Sequence, residues 1–177
     1  GVYYHVSYWG RPHDYLWLGT AHPALLYQQM NQAYEEGIQR VWILNVGDIK
    51  PAEYQIELFL DMAWDLAKVR REGVEAHRFA FLEREFGKKA AARLQPVLKE
   101  YYRLSHIRKP EFMGNTREEE KNPAYRVVKD LPWSETYIRE RMKSYRKLSD
   151  QVERLAPQIP AERQDAYFQL VKYPVQA

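Results

Sequence analysis

Five polar side chains in the first fifty residues carry the chemistry that this sequence offers. His5, Tyr8 and Arg11 follow one another in the run Tyr3-Tyr4-His5-Val6-Ser7-Tyr8-Trp9-Gly10-Arg11-Pro12, and Asn45 and Asp48 stand in Asn45-Val46-Gly47-Asp48-Ile49-Lys50-Pro51. An imidazole can accept a hydrogen bond or move a proton near neutral pH. An Asn that ends a hydrophobic strand (Val41, Ile43) is costly to bury without a partner, so its position asks for a ligand or a turn. Arg11, in a Gly/Pro loop, can fork a carboxylate or face solvent. Each residue also has a plainer reading. His5 can be a satisfied interior histidine, Tyr4 and Tyr8 can be core packing, and Asp48 can cap the following helix.

The elements that must position them are a strand, a helix and a second strand. Val2–Tyr8 is β-branched and aromatic, and its alternation puts Tyr3, His5 and Ser7 on one face and Val2, Tyr4 and Val6 on the other. Pro23 suits the first turn of a helix running to Glu36; Leu26, Met30, Ala33 and Tyr34 recur at helical spacing, and Gly37 can close it in the left-handed region. Arg40–Asn45 is the second strand. A connection of this length favours a parallel pair with a right-handed crossover. In such architectures ligands lie at the carboxyl ends of the strands, where His5, Tyr8 and Asn45 fall.

From Ala52 to Ala177 the pattern is helical. Ile56, Phe59, Leu60, Ala63 and Trp64 form one apolar stripe, Phe79, Leu82 and Phe86 a second that Gly87 closes, and Leu94, Leu98 and Tyr101 a third. Pro96 is expected to kink or split that third helix. Lys109–Pro132 reads as a long loop, Ser134 as the cap of a helix carrying Ile138, Met142, Tyr145, Leu148, Val152 and Leu155, and Tyr167, Phe168 and Val171 as a last helix. The helix count and short connections point to a bundle. The expected fold is therefore mixed α/β and mostly α, divided at residues 1–51 and 52–177.

Composition narrows the function. A net charge of +3, with basic residues interleaved among acids, gives no electrostatic footprint for nucleic acid. With no Cys there is neither a disulfide framework nor thiolate chemistry. No apolar run approaches the roughly 18 residues of a membrane span. The chain has no initiator Met and opens within a strand, which reads as a piece of a longer polypeptide. Its 14 Tyr and 5 Trp residues suit large helical cores, interfaces or carbohydrate sites. There is no G-x-S-x-G, no P-loop and no His-x-x-x-His pair, and no cofactor or metal site is expected. Glu83 and Glu85, like Asp61 and Asp65, read as surface charge, so Asp48 lacks a second carboxyl with which to act as acid and base.

The two runs quoted above, with Ala166-Tyr167-Phe168-Gln169-Leu170-Val171-Lys172-Tyr173-Pro174-Val175 near the end, resemble glycoside hydrolase family 115, the xylan α-1,2-glucuronidases. The resemblance implies that the chain supplies the last two parallel strands of a (β/α)8 catalytic barrel and continues into a helical domain. It implies removal of glucuronic acid, or its 4-O-methyl ether, from glucuronoxylan or aldouronic acids by inversion. His5, Tyr8 and Asn45 then become substrate-binding positions, Arg11 and Asp48 site-adjacent ones, and the catalytic acid and base lie on earlier strands. Several members carry Asp where this chain has Ser7, and Gly where it has Trp9 and Arg11, which bears on the loop contacts. The implied partners are the remainder of the barrel and a second copy in a homodimer. A polysaccharide substrate implies a secreted or periplasmic setting. The competing reading is a non-catalytic helical interaction module, in which the aromatic residues are core and interface.

Overall fold

The computed structural model of the chain describes residues 1–7, 16–110 and 133–177. Tyr8, Arg11 and residues 111–132 of the expected Lys109–Pro132 loop lie outside the described residues. Two strands, β1 (Val2–His5) and β2 (Trp42–Asn45), pair in parallel with Val2 opposite Trp42 and His5 opposite Asn45. The ladder extends a residue past each end, with Val2 N donating to Val41 O at 2.9 Å and Val6 N to Asn45 O at 3.0 Å. The expected β1 is shorter because the Ser7 hydroxyl turns to accept the Gly47 N–H at 2.6 Å, which diverts the chain out of the ladder.

Helix α1 (Pro23–Glu35) connects the strands. Pro23 occupies its first turn, and His22 Nδ1 accepts the Ala24 N–H at 3.1 Å, satisfying one of the orphan donors there. Gly37, at φ +84°, ends it: Gly37 N donates to Tyr34 O and Ile38 N to Ala33 O. All later regular structure among the described residues is helical. Besides short 3-10 turns, it comprises α2 (Glu53–Glu72), α3 (Val74–Phe86), α4 (Lys88–Ile107), α5 (Glu135–Leu155) and a C-terminal run. That run is α6 (Gln164–Tyr167), one π-helical turn (Phe168–Lys172) and α7 (Tyr173–Gln176). Gly73 and Gly87, both at positive φ, form the corners between α2, α3 and α4.

Two apolar clusters hold these elements. One lies between the sheet and its helices: Val6, Leu26, Met30, Leu58, Phe59 and Met62, with Val2, Tyr4, Trp42 and Leu44 packed against it. The other joins α3, α4, α5 and the C-terminal run around Leu82, Leu94, Tyr101, Val152, Tyr167 and Val171. Tyr54, in the first turn of α2, belongs to the second cluster, so α2 bridges both.

Three helical expectations change. The face of α2 that packs is Gln55, Leu58, Phe59, Met62, Leu66 and Val69, whereas Leu60 is exposed and Trp64 is 91% exposed. Both edges of the apolar stripe have helical spacing, and the position of β2 and α1 selects one of them. Pro96 does not split α4, which runs unbroken from Lys88 to Ile107. Pro96 and Ala92 are both exposed, so the carbonyl that the missing N–H leaves unpaired faces solvent. On α5, Ser134 caps as expected, accepting the Tyr137 N–H at 3.1 Å, but Ile138 and Met142 are exposed while Arg141 is buried.

The His22 cap makes stability depend on pH. Burial, then the neighbouring His106 and Arg78, hold the His22 imidazole below its ordinary value of 6.5. The His22 and His106 ring centres are 5.3 Å apart. The folded protein therefore binds this proton less readily than the unfolded chain. The stabilisation is complete above the unfolded value and is lost as pH falls through 6.5 toward the lower folded value. His22→Asn keeps a cap acceptor without the titration. Its melting temperature is expected to fall less than the parent's between about pH 7.5 and about pH 5.5. Parallel pH curves would remove His22 from this role.

Candidate functional site

The two faces of the sheet differ in kind. Val2, Tyr4, Trp42 and Leu44 point toward the helices and pack there. Tyr3, His5, Ile43 and Asn45 point the other way, and Tyr3 remains 54% exposed. The alternation read from the sequence thus places His5 and Asn45 on the outward face, as register partners at the carboxyl end of the pair.

Asn45 and Tyr3 meet on that face. Asn45 Nδ2 donates to the Tyr3 hydroxyl at 2.6 Å, and the Tyr3 and His5 rings meet edge-on with centres 5.0 Å apart. The result is a continuous row of amide, phenol and imidazole. The Tyr3 hydroxyl, whose lone pair is taken by Asn45, can still give its proton to a ligand oxygen, and the Asn45 carbonyl can still accept. Behind this row, the Ser7–Gly47 hydrogen bond ties the two loops that leave the strand ends. Tyr3 is not among the site residues that the sequence singles out. The same-face alternation with His5 was the available signal; the contact to Asn45, 42 positions away, was not.

Asp48 is exposed, three residues beyond β2. It does not cap α2, whose N-cap position is Ala52, with no side-chain hydrogen bond. The plainest structural role for Asp48 is thereby removed. The strand residues of the outward face carry no carboxylate. The half-buried carboxyl at the start of α2, Glu53, is pushed above the usual range by burial, and its Oε1 pairs with the Gln169 amide of the π turn.

A groove of about 360 Å³ runs along the outer edge of β1, with Tyr3, His5, Thr20, His22, Gln29 and His106 among its walls. A second, of about 460 Å³, runs beside β2 between Arg40, Trp42, Trp64 and Arg70. Neither outer edge of the sheet is paired with another strand among the described residues. Glu57, Asp61 and His77 place their ligand atoms within 4.8 Å of one another. His77 Nε2 lies 2.9 Å from Asp61, and Arg84 forks Glu57 at 2.9 and 2.6 Å, so hydrogen bonds already use these groups. It stands on α2 and α3, not on the outward face of the sheet.

The family profile of glycosyl hydrolase family 115 matches residues 1–112. One solved structure aligns over 99% of this chain at 70% identity with a TM-score of 0.92. It is described as a novel family GH115 4-O-methyl-alpha-glucuronidase with specificity for decorated arabinogalactans. The chain corresponds to 23% of the length of that relative. No curated protein matches the sequence.

Proposed function

The chain belongs to glycosyl hydrolase family 115, and from that premise we propose that it forms part of an enzyme removing glucuronic acid, or its 4-O-methyl ether, from a plant polysaccharide. Residues 1–51 are read as the last two strands of a (β/α)8 barrel, and 52–177 as the helical domain behind it. The parallel pair, its helical crossover and the two unpaired edges support that reading. The observation that carries the site is the Tyr3–His5–Asn45 row. It stands at the carboxyl end of the strands, on the face opposite the helices, which in a barrel is the lumen.

The division of labour follows from inversion. One carboxylic acid protonates the leaving oxygen, and a carboxylate roughly 6.5–9.5 Å away activates water. The outward strand residues supply no carboxylate, so both groups come from other strands of the complete polypeptide. Asn45 and Tyr3 hold sugar hydroxyls or the uronate, and His5 contributes a donor or acceptor beside them. By the family resemblance Tyr8 is assigned to substrate binding with them, and Arg11 and Asp48 to positions adjacent to the site. For the polymer itself, the 70% identical relative favours a decorated arabinogalactan over glucuronoxylan.

A structure of the complete polypeptide with a bound aldouronic acid tests this. The uronic acid ring is expected within hydrogen-bond reach, about 2.6–3.2 Å, of Asn45 and of Tyr3 or His5. A protein side chain covering that face, with the sugar elsewhere, would overturn the reading.

A further inference from the structure

Beyond the pocket, three aromatic side chains from distant parts of the sequence form one exposed surface. The Trp17 and Tyr173 ring centres lie 6.2 Å apart, and those of Tyr173 and Phe168 lie 5.7 Å apart. Trp17 is 45% exposed, Phe168 55% and Tyr173 37%. The π turn builds the second contact. Phe168 and Tyr173 are five residues apart, a spacing that diverges around an α-helix but comes into register when hydrogen bonds run from i to i+5. Tyr167, at the end of α6, and Val171, within the turn, stay buried. The interplanar angles of 56° and 40° make a faceted, continuous face rather than a closed stack.

This face is fixed to the end of the sheet where His5 and Asn45 stand. The segment that follows Trp17, through Gly19 and Ala21, packs on the β2–α2 turn. A Cβ added to Gly19 would lie 2.7 Å from Pro51 O, an approach only glycine permits. Gln55 Nε2 donates to Ala21 O at 3.2 Å from the first turn of α2. The π turn is held to the same place by the Gln169–Glu53 hydrogen bond. Pro51, Glu53 and Gln55 lie in the turn after β2 and the first turn of α2, so both halves of the aromatic face rest on the site end of the fold.

We propose that Trp17, Tyr173 and Phe168 form an accessory subsite that holds the pyranose rings of the polysaccharide main chain while a uronic acid branch occupies the pocket. Aromatic faces carry negative quadrupole charge and pack against the polarised C–H face of a sugar, and Tyr173 adds a hydroxyl for the ring's polar rim. The linear order of three rings suits a chain of sugars better than a single one. Trp64 is more exposed, yet it lines the groove beside β2 on the flank of α2, and among the described residues it has no ring contact with these three. The inference rests on the glucuronidase reading.

The test uses the complete enzyme, a 4-O-methylglucuronosylated arabinogalactan and a short aldobiouronic acid. For Trp17→Ala and for Phe168→Ala, the ratio of kcat/KM on polymer to kcat/KM on the short substrate is expected to fall roughly tenfold, chiefly through KM. Trp17→Phe is expected to recover most of it. An unchanged ratio in both alanine variants would overturn the subsite. So would an equal loss on both substrates together with a lower melting temperature, since that marks the rings as a packing surface for another part of the polypeptide. If the parent enzyme releases uronic acid from neither substrate, it is the glucuronidase reading that fails.

Discussion

Purified residues 1–177, incubated alone with aldouronic acids, are expected to release no glucuronic acid above the blank. Inversion at a glycosidic carbon needs an acid and a base on opposite sides of one bond. The described strand residues of the outward face, Tyr3, His5, Ile43 and Asn45, offer amide, phenol and imidazole groups but no carboxylate. Two strands also leave the pocket open to water, whereas a barrel's site is assembled from the ends of several strands. The apolar side chains of Val41, Ile43 and Trp64 are exposed around the unpaired sheet edges, so the segment is further expected to self-associate. Release of glucuronic acid from the isolated segment at a rate near that of the complete enzyme would contradict the division of labour proposed here.

The largest expected stability effect of a single substitution is at Arg141. Its guanidinium is buried and donates to two carbonyls at the end of α4, Leu104 O at 2.9 Å and Arg108 O at 2.7 Å. It also lies over the Trp133 and Tyr145 rings, at 5.6 and 5.1 Å from their centres. One cation thus satisfies the C-terminal carbonyls of α4, interacts with the negative end of its dipole and joins α5 to it. Arg141→Met retains the apolar stem but removes the guanidinium hydrogen bonds to both carbonyls, at a cost of about 2–4 kcal/mol. Arg141→Lys should recover only part, because an ammonium cannot fork two acceptors in the same plane. The contrast is Arg139→Met, two residues away. Arg139 makes an exposed ion pair with Glu135, and its loss should change stability by less than about 1 kcal/mol. Chemical denaturation of the three variants checks this; equal losses for Arg141→Met and Arg139→Met would show that burial confers nothing.

These two residues also mark where sequence reasoning stops. Arg139 and Arg141 both stand in a charged helix, and local pattern cannot separate them; the end of α4, more than thirty residues earlier, decides which is buried. The same holds for α2. Its apolar stripe has two edges, and only the tertiary partners choose Met62 over Trp64. By contrast, α1 was legible because Pro23 and Gly37 act through their own backbone geometry. The parallel pairing was legible because the connection length leaves few alternatives. Asn45 stood out because a polar amide at the end of an apolar strand needs a reason. Tyr3 did not, since a tyrosine in a strand fits packing and binding equally well. The register contact that gives it a role lies 42 residues away. The π turn had no sequence signal that helical periodicity could detect: Tyr167 and Val171 fit an ordinary helix, and the displacement appears only in the meeting of Phe168 with Tyr173.

The central claim is that the outward face of the strand pair binds the sugar, and Asn45→Ala in the complete enzyme tests it most directly. The variant loses the bond to the Tyr3 hydroxyl and the groups that would hold the substrate, but no apolar packing, because Asn45 points away from the core. The measurement is kcat/KM on an aldouronic acid alongside the melting temperature. The expected result is a fall of roughly 10–100-fold in kcat/KM with the melting temperature within about 2 °C of the parent. A variant that melts well below the parent while its folded fraction keeps normal kcat/KM would make Asn45 a structural residue and move the sugar site elsewhere.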